Sequence, residues 1–358
     1  MPRERFYNSA FCLLALAAMP LAGWGESRQS VVMKKTSGSA GTVEILRSVA
    51  ALPPHVAGQF AEPAGFAQLP SGDYLVFDRR GHTVFRVDRA LETATPLVSI
   101  GAEPGRILLP FGFDVDPTGL LVLGDTPAST ERIQVFSTGG ARLAGFSLRP
   151  RADARVQFEG LTLNGVATLR VTANRSLLLN QPETGSLITE YDFNGQVVRT
   201  VGRLRATGHE ASPQVHLAMN SGFPLPIPSG GYYFVFRSGA PQFLRYSADG
   251  ELMFERAIQG RELDRWLQSQ PTSWGRVAPG GETATLPIVR SLVRSAAVDG
   301  AGQLWVSFSV PYTYVYDDDG EKRRTIQLYG AGPLAPASLS FAPDGRLLAT
   351  PGGYIFKP

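Results

Sequence analysis

Residues 110–146 read PFGFDVDPTGLLVLGDTPASTERIQVFSTGGARLAGF, and the fold follows from them. Phe113-Asp114-Val115-Asp116 predicts a short strand, and Pro117-Thr118-Gly119 a tight turn. Residues 120–123 predict a second strand, 133–136 a third after a polar loop, and 142–146 a fourth after Thr138-Gly139-Gly140. Four antiparallel strands in so short a stretch cannot bury both faces alone, so such a unit needs copies to stack against.

The copies are present. Leu69-Pro70-Ser71-Gly72 precedes the apolar run 74–77, and Asp116-Pro117-Thr118-Gly119 precedes 120–123. Ala173-Asn174-Arg175-Ser176 is a degenerate third, and Pro228-Ser229-Gly230-Gly231 precedes 232–236. Asp299-Gly300-Ala301-Gly302 and Ala342-Pro343-Asp344-Gly345 complete the set of six. Gly and Asn stand there because they accept the positive φ of a tight β-turn. A second turn follows each copy but the last, seen best at 136–139, 191–195, 246–250 and 316–320. A period of about 43 to 72 residues with four strands per unit is the pattern of a propeller blade. The sixth copy ends at Tyr354-Ile355-Phe356 with nothing left for an outer strand, and residues 43–49 form a strand with no blade of its own. The expectation is an all-β, six-bladed β-propeller over residues 43–358, with four-stranded antiparallel blades and its ring closed by the N-terminal strand.

Composition suits this. Hydrophobic residues make up 43% of the 358, enough for a large core, and 39 Gly with 27 Pro serve many turns. The net charge of +3 has no basic run long enough to track a phosphate backbone, so nucleic acid is not an expected partner. Arg3 and Arg5 ahead of the apolar run 11–21, with Gly23-Trp24-Gly25 before Glu26, predict a signal peptide over residues 1–25. That run is broken by Pro20 and too short to span a bilayer, so the chain is expected to be exported, periplasmic or secreted, with no membrane insertion after cleavage. Residues 26–42 are polar and predict a flexible lead-in. The only cysteine, Cys12, falls within the signal segment, which leaves the mature chain without disulfides or a thiolate-bound metal.

Pro110-Phe111-Gly112-Phe113-Asp114-Val115-Asp116, Gly119 and Arg132-Ile133-Gln134-Val135-Phe136 resemble an NHL repeat. Residues 296–300 and 340–345 match its first half. The whole is similar to exported six-bladed propellers of the NHL and TolB-like kind. This resemblance implies the fold and leaves the function open, because the fold hosts binding modules, lyases and lactonases alike.

In such blades one rim carries the tight turns and the other carries the long connections, here 149–165, 203–222 and 259–293. The long-loop rim is where binding is expected. Arg79, Arg80 and Arg237 begin loops on that rim and would hold a carboxylate or anionic sugar through forked hydrogen bonds. Asp125 opens an equivalent loop, as does Asp78; the resemblance implies that such acids hold neighbouring blades together, while the place of Asp125 on this rim makes it a candidate for binding. Residues 261–267 (RELDRWL) predict a short amphipathic helix, with Trp266 either packed beneath it or facing a ligand. Tyr312, Tyr314 and Tyr316 share one strand face and are expected to pack between blades five and six.

These readings point first to a non-enzymatic binding scaffold for a protein partner or a small anionic or sugar-like ligand, with no cofactor. The alternative is a channel-centred hydrolase of lactonase-like type, or a lyase. The lactonase resemblance implies a divalent cation such as Ca²⁺ on oxygen ligands, for which Glu62, Asp114, Asn164 and Asn220 are the candidates. Against it, Arg294 and Ser295 stand where an oxygen ligand is expected. The four histidines, His55, His82, His209 and His216, show no paired zinc spacing. No Gly-x-Ser-x-Gly elbow, P-loop or dinucleotide fingerprint is present. The two readings make different demands on the channel: an enzyme needs converging polar groups from several inner strands, and a scaffold a small or apolar lining.

Overall fold

In the computed structural model, which describes residues 42–148, 156–158, 161–163, 168–269, 274–277 and 286–358, the six turns close alike. At the second, the Asp116 N–H donates to the Leu120 carbonyl and the Gly119 N–H to the Asp116 carbonyl, both at 2.9 Å. Leu69 donates to Asp73, Thr172 to Ser176, Ile227 to Gly231, Asp299 to Gln303 and Ala342 to Arg346 in the same way. The Asp116 carboxylate accepts the N–H groups of Thr118 and Leu120 at 2.8 Å, which is why an acid opens this turn. Gly119 sits at φ 92, where a Cβ would also lie 2.7 Å from the Thr138 methyl. The signal peptide expected at 1–25, and all but the last residue of the lead-in, lie outside the described residues.

Each turn joins an inner strand to the next in an antiparallel sheet. Four sheets hold four strands each, in chain order. The first runs through Pro63–Gln68, Tyr74–Asp78, Thr83–Val87 and Ala94–Val98. The second comprises Gly112–Val115, Leu121–Asp125, Arg132–Phe136 and Arg142–Ser147. The third takes in Thr168–Val171, Leu177–Asn180, Ser186–Tyr191 and Val197–Arg203. The fourth is built of Gly222–Pro226, Tyr232–Phe236, Gln242–Tyr246 and Leu252–Ala257. A nine-stranded sheet begins with Val293–Val298, Leu304–Phe308, Thr313–Tyr316 and Lys322–Tyr329, then takes in Glu44–Ala51 before Tyr354–Phe356, Leu347–Thr350 and Ser338–Phe341. Pro333–Leu334 adds to Lys322–Tyr329 off this path.

The chain is therefore an all-β propeller of four-stranded antiparallel blades, closed by its N-terminal strand. The closing strand does more than was expected of it. Ser48–Ala51 pairs antiparallel with Tyr354–Phe356, as anticipated, while Glu44–Arg47 pairs in parallel with Ile326–Tyr329. Arg324 grips the Glu44 carboxylate through two bonds of 2.9 and 2.7 Å.

Second strands such as Leu121–Asp125 and Tyr232–Phe236 are buried throughout, because neighbouring sheets cover both faces. Their near-continuous apolar sequence follows from that. Phe234 and Phe236 of the fourth sheet share a cluster with Leu178, Leu187 and Ile188 of the third. Burying each such side chain contributes roughly 1.5–3 kcal/mol. Outer strands, for example Arg142–Ser147, hold only exposed and half-buried residues.

The predicted helix is present as Arg261–Gln268, pinned by the Tyr314 hydroxyl donating to the Glu262 carboxylate at 2.5 Å. Tyr314 and Tyr316 pack toward that helix and the fourth sheet, with Phe243 4.8 Å from Tyr316, and not toward the closing strands as expected. The reason is the register: Tyr314 and Tyr316 stand opposite Val306 and Leu304, whose side chains share one cluster with Phe223, Tyr233 and Phe243 of the fourth sheet.

Candidate active site in the central channel

Counting back from the turns aligns the inner strands. Two residues before Leu69, Asp116, Thr172, Ile227, Asp299 and Ala342 stand Ala67, Asp114, Arg170, Leu225, Ala297 and Ser340, and all six line one central cavity of about 810 Å³. Gly65, Gly112, Thr168, Phe223, Ser295 and Ser338, one step of the pleat further back, line it too. Period-2 alternation makes both sets share a direction, toward the next sheet around the ring.

That direction is visible in the bonding. The Val171 N–H donates to the Asp114 carboxylate at 2.8 Å, from the third sheet to the second. The Thr168 hydroxyl donates to the Gly222 carbonyl at 2.5 Å, and the Ser295 hydroxyl to the Pro336 carbonyl at 2.9 Å. Ser340 closes the circuit by donating to the Phe66 carbonyl at 2.5 Å. Gly112 keeps one seam narrow: a Cβ there would lie 2.3 Å from the Leu169 side chain.

Asp114 is the distinctive member. Its second oxygen lies 3.8 Å from the Arg170 guanidinium, and 23% of the side chain still faces the channel. Burial pushes its carboxyl above the usual carboxylate range, against the opposing pull of the Arg170 charge and the N–H groups of Val171 and Val115. A carboxyl that keeps its proton more firmly than an exposed one, yet remains reachable, suits proton transfer.

At the long-loop mouth, Arg79 pairs with Glu62, and both line the cavity. Asp78 is buried and accepts the N–H groups of Ala61 and Glu62 at 2.8 Å and of Gly81 at 3.0 Å, which fixes the backbone that presents Glu62. Arg237 lines the same cavity with its guanidinium 5.4 Å from the Phe223 ring centre. Arg294 also lines it and makes no ion pair or hydrogen bond among the described residues.

Other expected site residues lie elsewhere. Asp125 is fully buried, bound by Arg132 at 2.9 and 2.7 Å and by the Leu108 N–H at 3.0 Å, so it fastens a loop and offers nothing to a ligand. Arg80 is exposed outside the cavity lining. Trp266 packs half-buried against the cluster that holds Phe223 and Tyr314, which is the packed alternative for this residue.

The divalent-cation ligand set does not assemble among the described residues. Asn220 is fully buried at a helix end, accepting the Arg205 N–H at 2.9 Å and donating to the His216 carbonyl at 3.0 Å. Glu62 is engaged by Arg79, and Asn164 lies outside the described residues. No group of three or more His, Cys, Asp or Glu converges among the described residues. Guanidiniums occupy the channel where a hard cation needs oxygens, so no step below runs through a metal. Arg170, Arg294 and the serines of the inner strands were not picked out as site residues from the sequence. Registering each inner strand on its own turn is the signal that finds them.

No family model and no curated protein sequence matches the chain. Among solved structures, a gluconolactonase from Xanthomonas campestris is 17% identical, with 82% of this chain and 84% of that one covered at a TM-score of 0.48. A streptogramin B lyase is 12% identical over 83% and 93% of the two chains, also at 0.48. The WD40 propeller domain of Doa1 is 11% identical over 87% and 96%, at 0.49. Likeness at this level extends to the fold alone. The expectation of a non-enzymatic scaffold working through the long-loop face is nonetheless corrected. Ionisable and hydroxyl groups from several inner strands converge in the channel, where a scaffold requires a small or apolar lining.

Proposed function

We propose that the protein is an exported six-bladed propeller enzyme whose central channel carries out hydrolase or lyase chemistry of the lactonase-like kind. Six blades are supported by the six equivalent turns and by the division of the nine-stranded sheet at Glu44–Ala51 into two units of four main strands. Export rests on the residues of the N-terminal segment, 1–25.

The observation that carries the reading is Asp114: a channel-facing carboxyl with its affinity for protons raised by burial, 3.8 Å from Arg170. In hydrolysis of a cyclic ester, the water oxygen bonds to the acyl carbon while the acyl C–O bond breaks. Asp114 takes the water proton as carboxylate and returns it to the departing alkoxide. In elimination, Asp114 takes the proton α to a carbonyl, and the C–O bond β to it breaks with the electron pair leaving on oxygen. Either course needs one group that both takes and gives a proton, and general acid–base catalysis of this sort contributes about 10²–10⁴-fold.

The test is a panel of lactones and cyclic esters followed by NMR in ¹⁸O-labelled water. Turnover that falls at least a hundredfold in Asp114→Asn is expected, with label in the product for hydrolysis and none for elimination. Turnover unchanged in that variant removes the assignment.

A further inference from the structure

We infer that the channel recognises a substrate carrying a single carboxylate, and that Arg294 is the residue that binds it. This deepens the channel-enzyme reading and rests on it for the word substrate, although the anion site itself stands on separate observations.

The first is charge. Arg79, Arg170, Arg237 and Arg294 line the cavity against Glu62, Asp114 and Asp116. Asp116 is consumed by its own turn, where Thr118 and Leu120 bond it. Glu62 is consumed by Arg79, and Asp114 faces Arg170. Four guanidiniums against three carboxylates leave one positive charge in excess, and Arg294 is the guanidinium that no described group pairs. A carboxylate balances it, whereas a phosphate monoester brings close to a second negative charge that nothing in the lining offsets.

The second is place. Arg294 stands five residues before the turn residue Asp299, and the same register elsewhere in the ring carries Ala64, Phe111 and Ala337, all lining the cavity. Arg294 therefore lines a cavity of about 810 Å³, large enough to take a small carboxylate beside it. The planar fork of a guanidinium matches a carboxylate through two parallel hydrogen bonds. Ser295 beside it is already spent on the Pro336 carbonyl, so Arg294 does not owe its position to that seam.

The experiment is calorimetric titration and thermal shift of the full mature chain with sodium gluconate as a carboxylate probe and neutral sorbitol, which cannot hydrolyse, as control. Gluconate is expected to bind in the millimolar range or tighter and to lose affinity at least tenfold in Arg294→Gln. Arg294→Lys, which keeps the charge without the fork, is expected to fall between them. Asp114→Asn is expected to retain gluconate binding, which separates the two assignments. Equal gluconate affinity in wild type and Arg294→Gln, with both variants melting cooperatively, overturns the inference whatever Asp114 does. Loss of turnover in Asp114→Asn beside unaltered gluconate affinity in Arg294→Gln leaves the channel enzyme standing and the carboxylate site refuted. Full turnover in Asp114→Asn beside lost gluconate affinity in Arg294→Gln does the reverse.

Discussion

Asp114 accepts a hydrogen bond from the backbone N–H of Val171, 2.8 Å away and 57 residues later in the chain. The bond crosses a seam between sheets, so one carboxyl both stitches the ring and faces its channel. Structure and chemistry are therefore separable at this residue, because asparagine keeps an acceptor for Val171 and loses the titratable proton.

The raised affinity of Asp114 for its proton has a definite sign in stability. The folded state binds the proton more tightly than the unfolded chain, whose carboxyl titrates near 3.8. Stability contributed by the group is thus complete below that value and is lost as pH rises through the higher folded one. Asp114→Asn is expected to be increasingly more stable than wild type as the pH climbs from 4 to 7. Urea melts at those two pH values measure it, and a constant difference contradicts it.

Asp125 and Arg132 form a buried pair, with the acid fully enclosed and the arginine side chain 11% exposed. Arg132 also donates to the carbonyls of Ala102 and Arg106, and Gln134 to that of Arg106, so the pair anchors the loop entering the second sheet. Asp125→Ala leaves a buried cation unmatched and is expected to cost about 3–5 kcal/mol. Denaturant melts give the size, and faster amide exchange across residues 99–108 gives the place.

Gly119 sits at φ 92 with the Thr138 methyl close by. Gly119→Ala is expected to destabilise by about 1–2 kcal/mol from the backbone term alone. A melting temperature within a degree of wild type contradicts this.

Tyr314 holds the helix Arg261–Gln268 through Glu262. Tyr314→Phe keeps the ring in its cluster and removes a charge-assisted bond, for an expected loss of about 1.5 kcal/mol. Exchange protection lost in this helix alone, with the sheets unaffected, is the expected signature.

Much of the architecture was legible because its cause is local. A positive φ selects glycine, and a strand buried on both faces selects an unbroken apolar run, so the turns at Gly72, Gly119, Gly302 and Gly345 announced their strands. Asp125 was legible as to position but not as to burial, which depends on a loop folding back through Leu108. The channel was harder still. Asp114 and Arg170 lie on different sheets, and only the packing of the second sheet against the third brings them within 3.8 Å. The parallel pairing of Glu44–Arg47 with Ile326–Tyr329 had no signature either, since strand composition carries no record of which edge will be adjacent.

The strand Glu44–Ala51 is held on both sides by segments from the far end of the chain. Joining Glu44 to Arg324 encloses a separation of 280 residues, for which loop-closure entropy alone is about 5 kcal/mol. A nascent chain therefore cannot finish this ring until its last strand exists, and the closing step is a slow one that contact order predicts to set the folding rate. The same arrangement works in reverse once folding is complete: Glu44–Ala51 leaves the ring only when its pairings with Ile326–Tyr329 and with Tyr354–Phe356 have both given way, which adds to the barrier to opening.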